Sequence, residues 1–115
     1  MIESREYPFL PVTVEAHHFQ QEVLAFVDTG FDGFLILPET YLPQLGASDF
    51  VGRWSLADGS VVEAAEFRGT LAITGLQAVI QARITCLGTE IILGRAVVDR
   101  FAITFDHGRR IIAVE

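Results

Sequence analysis

The sequence of 115 residues is long enough for one domain with a modest core, since 50% of its residues are apolar. Its 8 Lys and Arg residues are outweighed by 15 Asp and Glu residues. This balance argues against nucleic acid or an anionic membrane as a partner, because phosphate binding needs a basic face. A single cysteine, Cys86, cannot form an internal disulfide, and we expect it to be a buried small hydrophobic residue.

Nothing in the sequence predicts targeting to a membrane. No apolar stretch approaches the length of a transmembrane helix, and residues 1–6 are charged where a signal peptide would be apolar. We therefore expect a soluble, cytoplasmic protein without a propeptide. We find no linker, repeat array or low-complexity segment, so residues 1–115 are predicted to form one domain.

Two strands are predicted in the first 27 residues of the chain. Residues 7–16 alternate between apolar and other residues, and Pro8 and Pro11 favour a place near a sheet edge. Residues 19–27 form the second strand, which becomes apolar on both faces towards its end and is predicted to enter the core there.

His17 and His18 separate these two strands. Adjacent residues of an extended chain point to opposite faces, so these histidines are poorly placed to share a metal ion. No other His or Cys lies near them in the sequence. A solvated turn is the preferred interpretation, and no metal site is predicted.

Asp28 stands between two strongly apolar runs, residues 23–27 and 34–37. A carboxylate in such a place must be hydrogen-bonded, paired or partly neutralised. Asp28-Thr29-Gly30 has the composition of a tight turn, in which the Asp side chain accepts from downstream N–H groups and Gly tolerates positive φ. The Thr hydroxyl is able to bond across such a turn, which would present Asp28 at its tip.

The rest of the chain is predicted to be mostly strands. An Asp-Gly pair between β-rich runs predicts a hairpin with its turn at Ala57-Asp58-Gly59-Ser60. The predicted elements are a short helical turn at 38–46, hairpin strands at 50–56 and 61–74, strands at 76–86 and 90–93, a short helix at 95–101, and a final hairpin of 102–106 and 109–114.

Two motifs together resemble one protein family. Val27-Asp28-Thr29-Gly30 followed by an apolar strand is similar to the active-site loop of aspartic proteases, and Ile91-Ile92-Leu93-Gly94-Arg95 resembles the partner element beside that loop. Their order and spacing suit the single-domain, retroviral-type (retropepsin-like) branch. The resemblance implies an all-β, single-lobe acid protease barrel with one short C-terminal helix.

The resemblance also implies a function. Peptide hydrolysis in this family uses two carboxylates that share a proton, and this chain supplies one, so a homodimer with its two-fold axis through Asp28 is expected. Asp28, Thr29 and Gly30 are the implied catalytic residues: Thr29 reaches across the axis, and Gly30 offers its carbonyl to the substrate. The implied partners are a second copy of the chain and a peptide or protein substrate, without any cofactor.

Substrate contacts are implied at two further places. The hairpin at 50–74 corresponds to the family's flap, which places Ala57, Asp58 and Gly59 over bound peptide, although an ordinary surface hairpin has the same sequence pattern. Asp32 and Gly33 follow the catalytic turn and correspond to residues that contact the substrate backbone.

Some features depart from the retroviral pattern. Gly33 replaces a common Asp, and Phe31 replaces a small residue, so that it would either fill the core or crowd the loop. Gly94 and Arg95 have implied structural roles, and we expect Arg95 to form a partly buried ion pair with Asp32.

Two functions remain open from the sequence. One is an aspartic endopeptidase, and the alternative is a non-catalytic peptide-binding or dimerisation module with the same fold. The endopeptidase is favoured because a binding module has no need of a carboxylate in an apolar loop.

Overall fold

Strands make up most of the computed structural model, which describes residues 1–115. Helical structure is limited to a 3-10 helix at Glu39–Tyr41, α1 (Leu42–Leu45) and α2 (Arg95–Val98). None of the helices has the length and apolar character that crossing a bilayer requires. The strands are β1 (Ile2–Glu3), β2 (Phe9–Ala16), β3 (Phe19–Val27), β4 (Leu35–Leu37), β5 (Phe50–Ser55), β6 (Val61–Ile73), β7 (Ile80–Cys86), β8 (Ile92–Leu93), β9 (Ala102–Asp106) and β10 (Arg110–Val114).

Six of the strands close into a barrel. They follow the order β2, β3, β8, β4, β7 and β6, and β6 pairs back to β2. The strand β6 is 13 residues long: its last residues close the barrel, whereas its first residues pair with β5 outside it. The predicted all-β barrel fold is therefore confirmed.

The strand β2 is not at a sheet edge, so that expectation is wrong. It pairs antiparallel with β3 on one side and with β6 on the other. Pro11 is tolerated because pairing with β6 begins one residue later, at Val12, and the Pro11 carbonyl accepts from the Thr74 N–H at 2.9 Å.

The barrel interior is filled by one face of each strand. In β3 the buried residues Val23, Ala25 and Val27 alternate with Leu24 and Phe26, which are 43% and 38% exposed. The prediction that β3 is buried on both faces near its end is therefore wrong for its outward face. Cys86 is buried as predicted, and desolvation raises the pKa of its thiol to about 11.

Two predicted elements are shorter in the structure. The strand predicted at 76–86 begins at Ile80, because the N–H groups of Gln77 and Ala78 donate to the Glu115 carboxylate, at 2.9 and 2.6 Å, rather than to a strand. The helix predicted at 95–101 is a single turn, Arg95–Val98.

A second, three-stranded sheet joins the two ends of the chain. The order is β1, β10, β9, and the predicted final hairpin of β9 and β10 is confirmed. Arg110 binds Asp106 at 2.7 Å and Glu3 at 2.8 Å, which links β10 to both of its neighbours. The Ser4 hydroxyl accepts from the Ile111 N–H at 2.7 Å.

Candidate active site

Asp28 begins a tight turn directly after β3. Its Oδ1 atom accepts from the Gly30 N–H at 2.8 Å, and its carbonyl accepts from the Phe31 N–H at 3.2 Å. The predicted turn, with the Asp side chain bonded to downstream backbone, is therefore present. Asp28 is half-buried, whereas Thr29 and Gly30 are exposed at the apex. The Thr29 hydroxyl does not make the bond across the turn that was expected.

The strand β8 passes beside this turn. It pairs parallel with the end of β3 and antiparallel with β4, so it lies between the two strands that flank the turn. Main-chain hydrogen bonds join this segment to the loop in both directions, because the loop donates one N–H to β8 and the residues after β8 donate to carbonyls of the loop; together they fix the path of the loop. These bonds are Asp28 N–H to Leu93 O at 3.0 Å, Gly94 N–H to Phe34 O at 2.9 Å, and Arg95 N–H to Phe31 O at 2.8 Å.

Gly94 allows this close approach. A Cβ atom at position 94 would overlap the Gly33 carbonyl oxygen and would lie 2.5 Å from Cδ2 of Phe31. The predicted structural role of Gly94 therefore has a steric cause: only glycine leaves room for the loop against the start of α2.

The predicted ion pair between Asp32 and Arg95 is wrong. Arg95 instead pairs with Asp99, four residues along, at 3.2 Å, and both side chains are more than half exposed. Asp32 is exposed and makes no ion pair within the chain. The short helix α2 places residues 95 and 99 on one face, and this local partner competes successfully for the guanidinium.

The strands β5 and β6 form the predicted hairpin. Its turn is closed by the Leu56 N–H donating to the Ser60 carbonyl at 2.8 Å, and Gly59 has φ +85°. Asp58 accepts from the Ser60 hydroxyl at 2.6 Å and from its N–H at 2.9 Å, which lowers the pKa of Asp58. Ala57, Asp58 and Gly59 are all exposed at the tip.

An aromatic contact joins this hairpin to the loop that follows Asp28. Trp54 of β5 packs against Phe31 with ring centroids 5.4 Å apart and planes tilted by 50°. Phe31 therefore does not fill the core, and its ring lies close against Gly33 and Gly94. Gly33 lies beneath the same contact, and it lines a pocket of about 470 Å³ with Trp54 and Glu66.

Glu66 is a residue that the sequence interpretation missed. It lies on β6 and is 3% exposed, and it accepts from the Trp54 indole N–H at 2.9 Å and from the Thr85 hydroxyl at 2.8 Å. A signal was present: Glu66 stands between Ala65 and Phe67 in a predicted strand, and Trp54 in the preceding strand carries an N–H that needs an acceptor.

The outward face of β2 and β3 carries an apolar pocket of about 530 Å³. Phe9 and Phe26 meet edge to face at 5.7 Å, and Leu24 and Ile91 complete the apolar lining. Phe26 lies two residues before Asp28, so this surface leads along β3 towards the turn. No group of three or more His, Cys, Asp or Glu side chains is arranged as metal ligands would be.

The six-stranded barrel, with its Asp-Thr-Gly turn beside β8, has a fold similar to that of solved retropepsin-like proteases. Two solved structures share this fold with the chain. The EIAV protease complexed with the inhibitor HBY-793 has 18% sequence identity and a TM-score of 0.53, over 84% of this chain and 88% of that one. A retropepsin-like aspartic protease from Rickettsia conorii has 17% identity and a TM-score of 0.56, over 98% and 90%. No protein-family model matches the sequence, and no curated protein matches it.

Proposed function

We propose that the protein is an aspartic endopeptidase whose active site is formed by two copies of Asp28 in a homodimer. The observation that carries the proposal is the Asp28 turn itself. The carboxylate is fixed by the Gly30 N–H at 2.8 Å, yet it stays half-buried at an exposed apex with no cation to neutralise it. A carboxylate held in this way is available to a second copy and to a substrate.

The chemistry needs both carboxylates. Two of them a few ångströms apart cannot both ionise cheaply, so the pair retains one proton. The ionised member takes a proton from water, and the water oxygen attacks the scissile carbonyl carbon while the neutral member protonates the carbonyl oxygen. Collapse of the tetrahedral species then breaks the C–N bond: the amine leaves with the proton that one carboxyl group took from water, and a hydroxyl of the species returns a proton to the other carboxylate, which restores the singly protonated pair.

The substrate is proposed to be an extended peptide that lies between the turn and the hairpin. The exposed residues Leu56 and Val61 give the hairpin an apolar surface for it. In this arrangement Gly30, Asp32 and Gly33 face the peptide backbone from below, and residues 57–59 cover it from above. Thr29, exposed at the apex, is proposed to contact the turn of the second copy.

The test is incubation of the purified protein with a mixed peptide library at several pH values, with the products identified by mass spectrometry. We expect cleavage with a bell-shaped pH dependence that peaks below neutrality, because only the singly protonated pair is active. Asp28→Asn should abolish cleavage while the fold and the dimer persist, because an amide keeps the shape of the carboxylate and removes its charge.

The matched control is Asp99→Asn, which removes an exposed carboxylate distant in sequence from the turn. It should cleave the library as the wild type does. Cleavage by purified Asp28→Asn protein would assign the activity to something else. Binding of peptides by the wild type without any cleavage would favour a non-catalytic peptide-binding module.

A further inference from the structure

A buried carboxylate lies under the hairpin and is fully partnered. The Oε2 atom of Glu66 accepts from the Trp54 indole and from the Thr85 hydroxyl, and its Oε1 atom lies 3.5 Å from the Arg83 guanidinium. Glu66 is 3% exposed, whereas the Arg83 side chain is 51% exposed. Since burial of a charge is unfavourable unless its hydrogen bonds are made, these partners define one orientation of the carboxylate.

The backbone around Glu66 leaves space for this group. Gly52 of β5 faces the carboxylate, and a Cβ atom there would overlap it, lying 2.6 Å from Oε1. No positive φ requires glycine at position 52, so the only visible reason for the small residue is room for Glu66.

The indole that Glu66 holds is the one that contacts the loop after Asp28. Phe31, against which Trp54 packs, is itself confined: Cβ atoms added at Gly33 or Gly94 would collide with its ring. Contacts therefore run without a gap from Glu66 through Trp54 to Phe31, the residue next to Gly30 of the turn.

We propose that Glu66 and Trp54 are positioning residues for catalysis, because together they hold the β5–β6 hairpin in one place over the Asp28 loop. The proposal rests on the proposed endopeptidase function. The part of the hairpin before Ala65, where pairing of β6 with β7 begins, has only two strands, and a two-stranded hairpin is only marginally stable by itself. A directional hydrogen bond to a buried carboxylate fixes the rotation of the indole, which packing of the rings alone would leave free.

A hairpin fixed in advance lowers the entropy that is lost when a peptide is clamped. Loss of the connection from Glu66 through Trp54 to Phe31 should therefore weaken substrate binding more than it slows the bond-breaking step. It should raise KM and leave kcat close to the wild-type value.

Trp54 is the only tryptophan of the chain, so its fluorescence reports on the connection directly. The experiment compares Glu66→Ala, Glu66→Gln and the control Val51→Ser, whose side chain lies on the outward face of β5, the strand that carries Trp54. For Glu66→Ala we expect acrylamide quenching of Trp54 to rise about twofold and kcat/KM to fall about tenfold, mostly through KM, because the hydrogen bond that holds Trp54 is lost. Glu66→Gln retains an acceptor oxygen for Trp54 and should restore both quantities to within about twofold of the wild type.

Gly52→Ala provides a second route, since the added methyl displaces the Glu66 carboxylate while every polar group remains. It should reproduce the Glu66→Ala result, and circular dichroism would verify that each variant is folded. The proposal would be overturned if Glu66→Ala showed the quenching and KM of the wild type. If Glu66→Ala does not fold, the same result in Gly52→Ala would overturn it. So would a Glu66→Gln variant as impaired as Glu66→Ala, because the acceptor would then not be the cause.

The fluorescence measurement needs no substrate. If no peptide is cleaved by any variant but quenching changes as expected, the connection exists and the endopeptidase proposal has failed. If peptides are cleaved and quenching and KM do not change, the positioning role is wrong and the endopeptidase proposal is unaffected.

Discussion

Asp28 and Glu66 are carboxylates with opposite surroundings. Asp28 accepts one backbone N–H and keeps an exposed side, whereas Glu66 is 3% exposed and is bonded to Trp54 and Thr85. Reactivity requires access to water and substrate, and stability requires that a buried charge be fully partnered. These different surroundings agree with the two proposed roles, catalysis for Asp28 and support of the hairpin for Glu66.

Arg95→Ala is expected to have a small effect on stability. Its ion pair with Asp99 is more than half exposed on both sides, and such pairs contribute about 0.5 kcal/mol or less. Urea denaturation should give a midpoint close to that of the wild type, and Asp99→Ala should behave in the same way. A loss of several kcal/mol in Arg95→Ala alone would mean that the guanidinium has a buried partner in the folded protein.

His17 is placed between two acceptors. Its Nδ1 atom lies 3.0 Å from the Leu45 carbonyl and its Nε2 atom 2.9 Å from Oδ2 of Asp49. Only the protonated ring donates to both, so both acceptors raise the pKa of His17 above 6.5. The hydrogen bond to Asp49 has the larger effect and the bond to Leu45 the smaller one. The pKa of Asp49 is lowered in turn, first by the Arg68 N–H and then by His17. The turn at His17, which was expected only to be solvated, is thus bonded to the distant residues Leu45 and Asp49.

The raised pKa of His17 predicts a pH-dependent stability. A raised folded-state pKa stabilises the fold fully below the unfolded value of about 6.5, and this contribution disappears as the pH rises through the folded-state value. The difference in Tm between wild type and His17→Gln should therefore narrow as the pH is raised from about 5 to 9. Thermal denaturation monitored by circular dichroism measures it, with the exposed neighbour His18→Gln as control. A Tm difference that stays constant or grows as the pH is raised would contradict the raised pKa of His17.

At the scale of elements, the loop after Asp28 depends on two neighbours. The segment that begins with β8 binds its carbonyls from one side, and the hairpin packs on Phe31 from the other. Hydrogen-bonded backbone does not adjust to an added atom as easily as a surface side chain does. Position 94 should therefore tolerate an added methyl group much less well than a position at the hairpin tip does.

Gly94→Ala and Gly59→Ala test this difference. At position 94 the new methyl would overlap the Gly33 carbonyl oxygen, and we expect a loss of about 3 kcal/mol in the free energy of unfolding. At position 59 nothing lies within 4 Å and only the positive φ is unfavourable, so about 1 kcal/mol is expected. Urea denaturation of both variants measures the two losses. Equal losses would show that the loop moves away from position 94 without penalty.

At the scale of the whole molecule, one copy of the chain offers a single Asp-Thr-Gly turn. The proposed chemistry needs two, so the protein is expected to be a homodimer whose mass in sedimentation is about twice 12.7 kDa at micromolar concentration. Asp28→Asn should dimerise at least as tightly, because it removes the repulsion between the two carboxylates. A monomer that cleaves peptides would refute the two-copy mechanism.

The local features of the fold and site could be predicted from the sequence. Runs of apolar and β-forming residues identified the strands β3, β5 and β6 to within a residue or two, and Asp-Gly identified the hairpin turn. Asp28-Thr29-Gly30 specified its own turn, because an Asp side chain reaches a backbone N–H two residues along wherever the turn is placed. These features depend on interactions between residues that are close together in the sequence, so the sequence alone is enough to predict them.

Contacts between distant residues were decided only by the tertiary structure. Arg95 had a nearby partner and a distant one, and the geometry of a single helical turn favoured Asp99 over Asp32. Glu66 meets Trp54 and Thr85 because β6 pairs with β5 on one side and with β7 on the other. Which strands become neighbours depends on closure of the barrel, and alternation within one strand does not encode it, since many partners would bury the same apolar face.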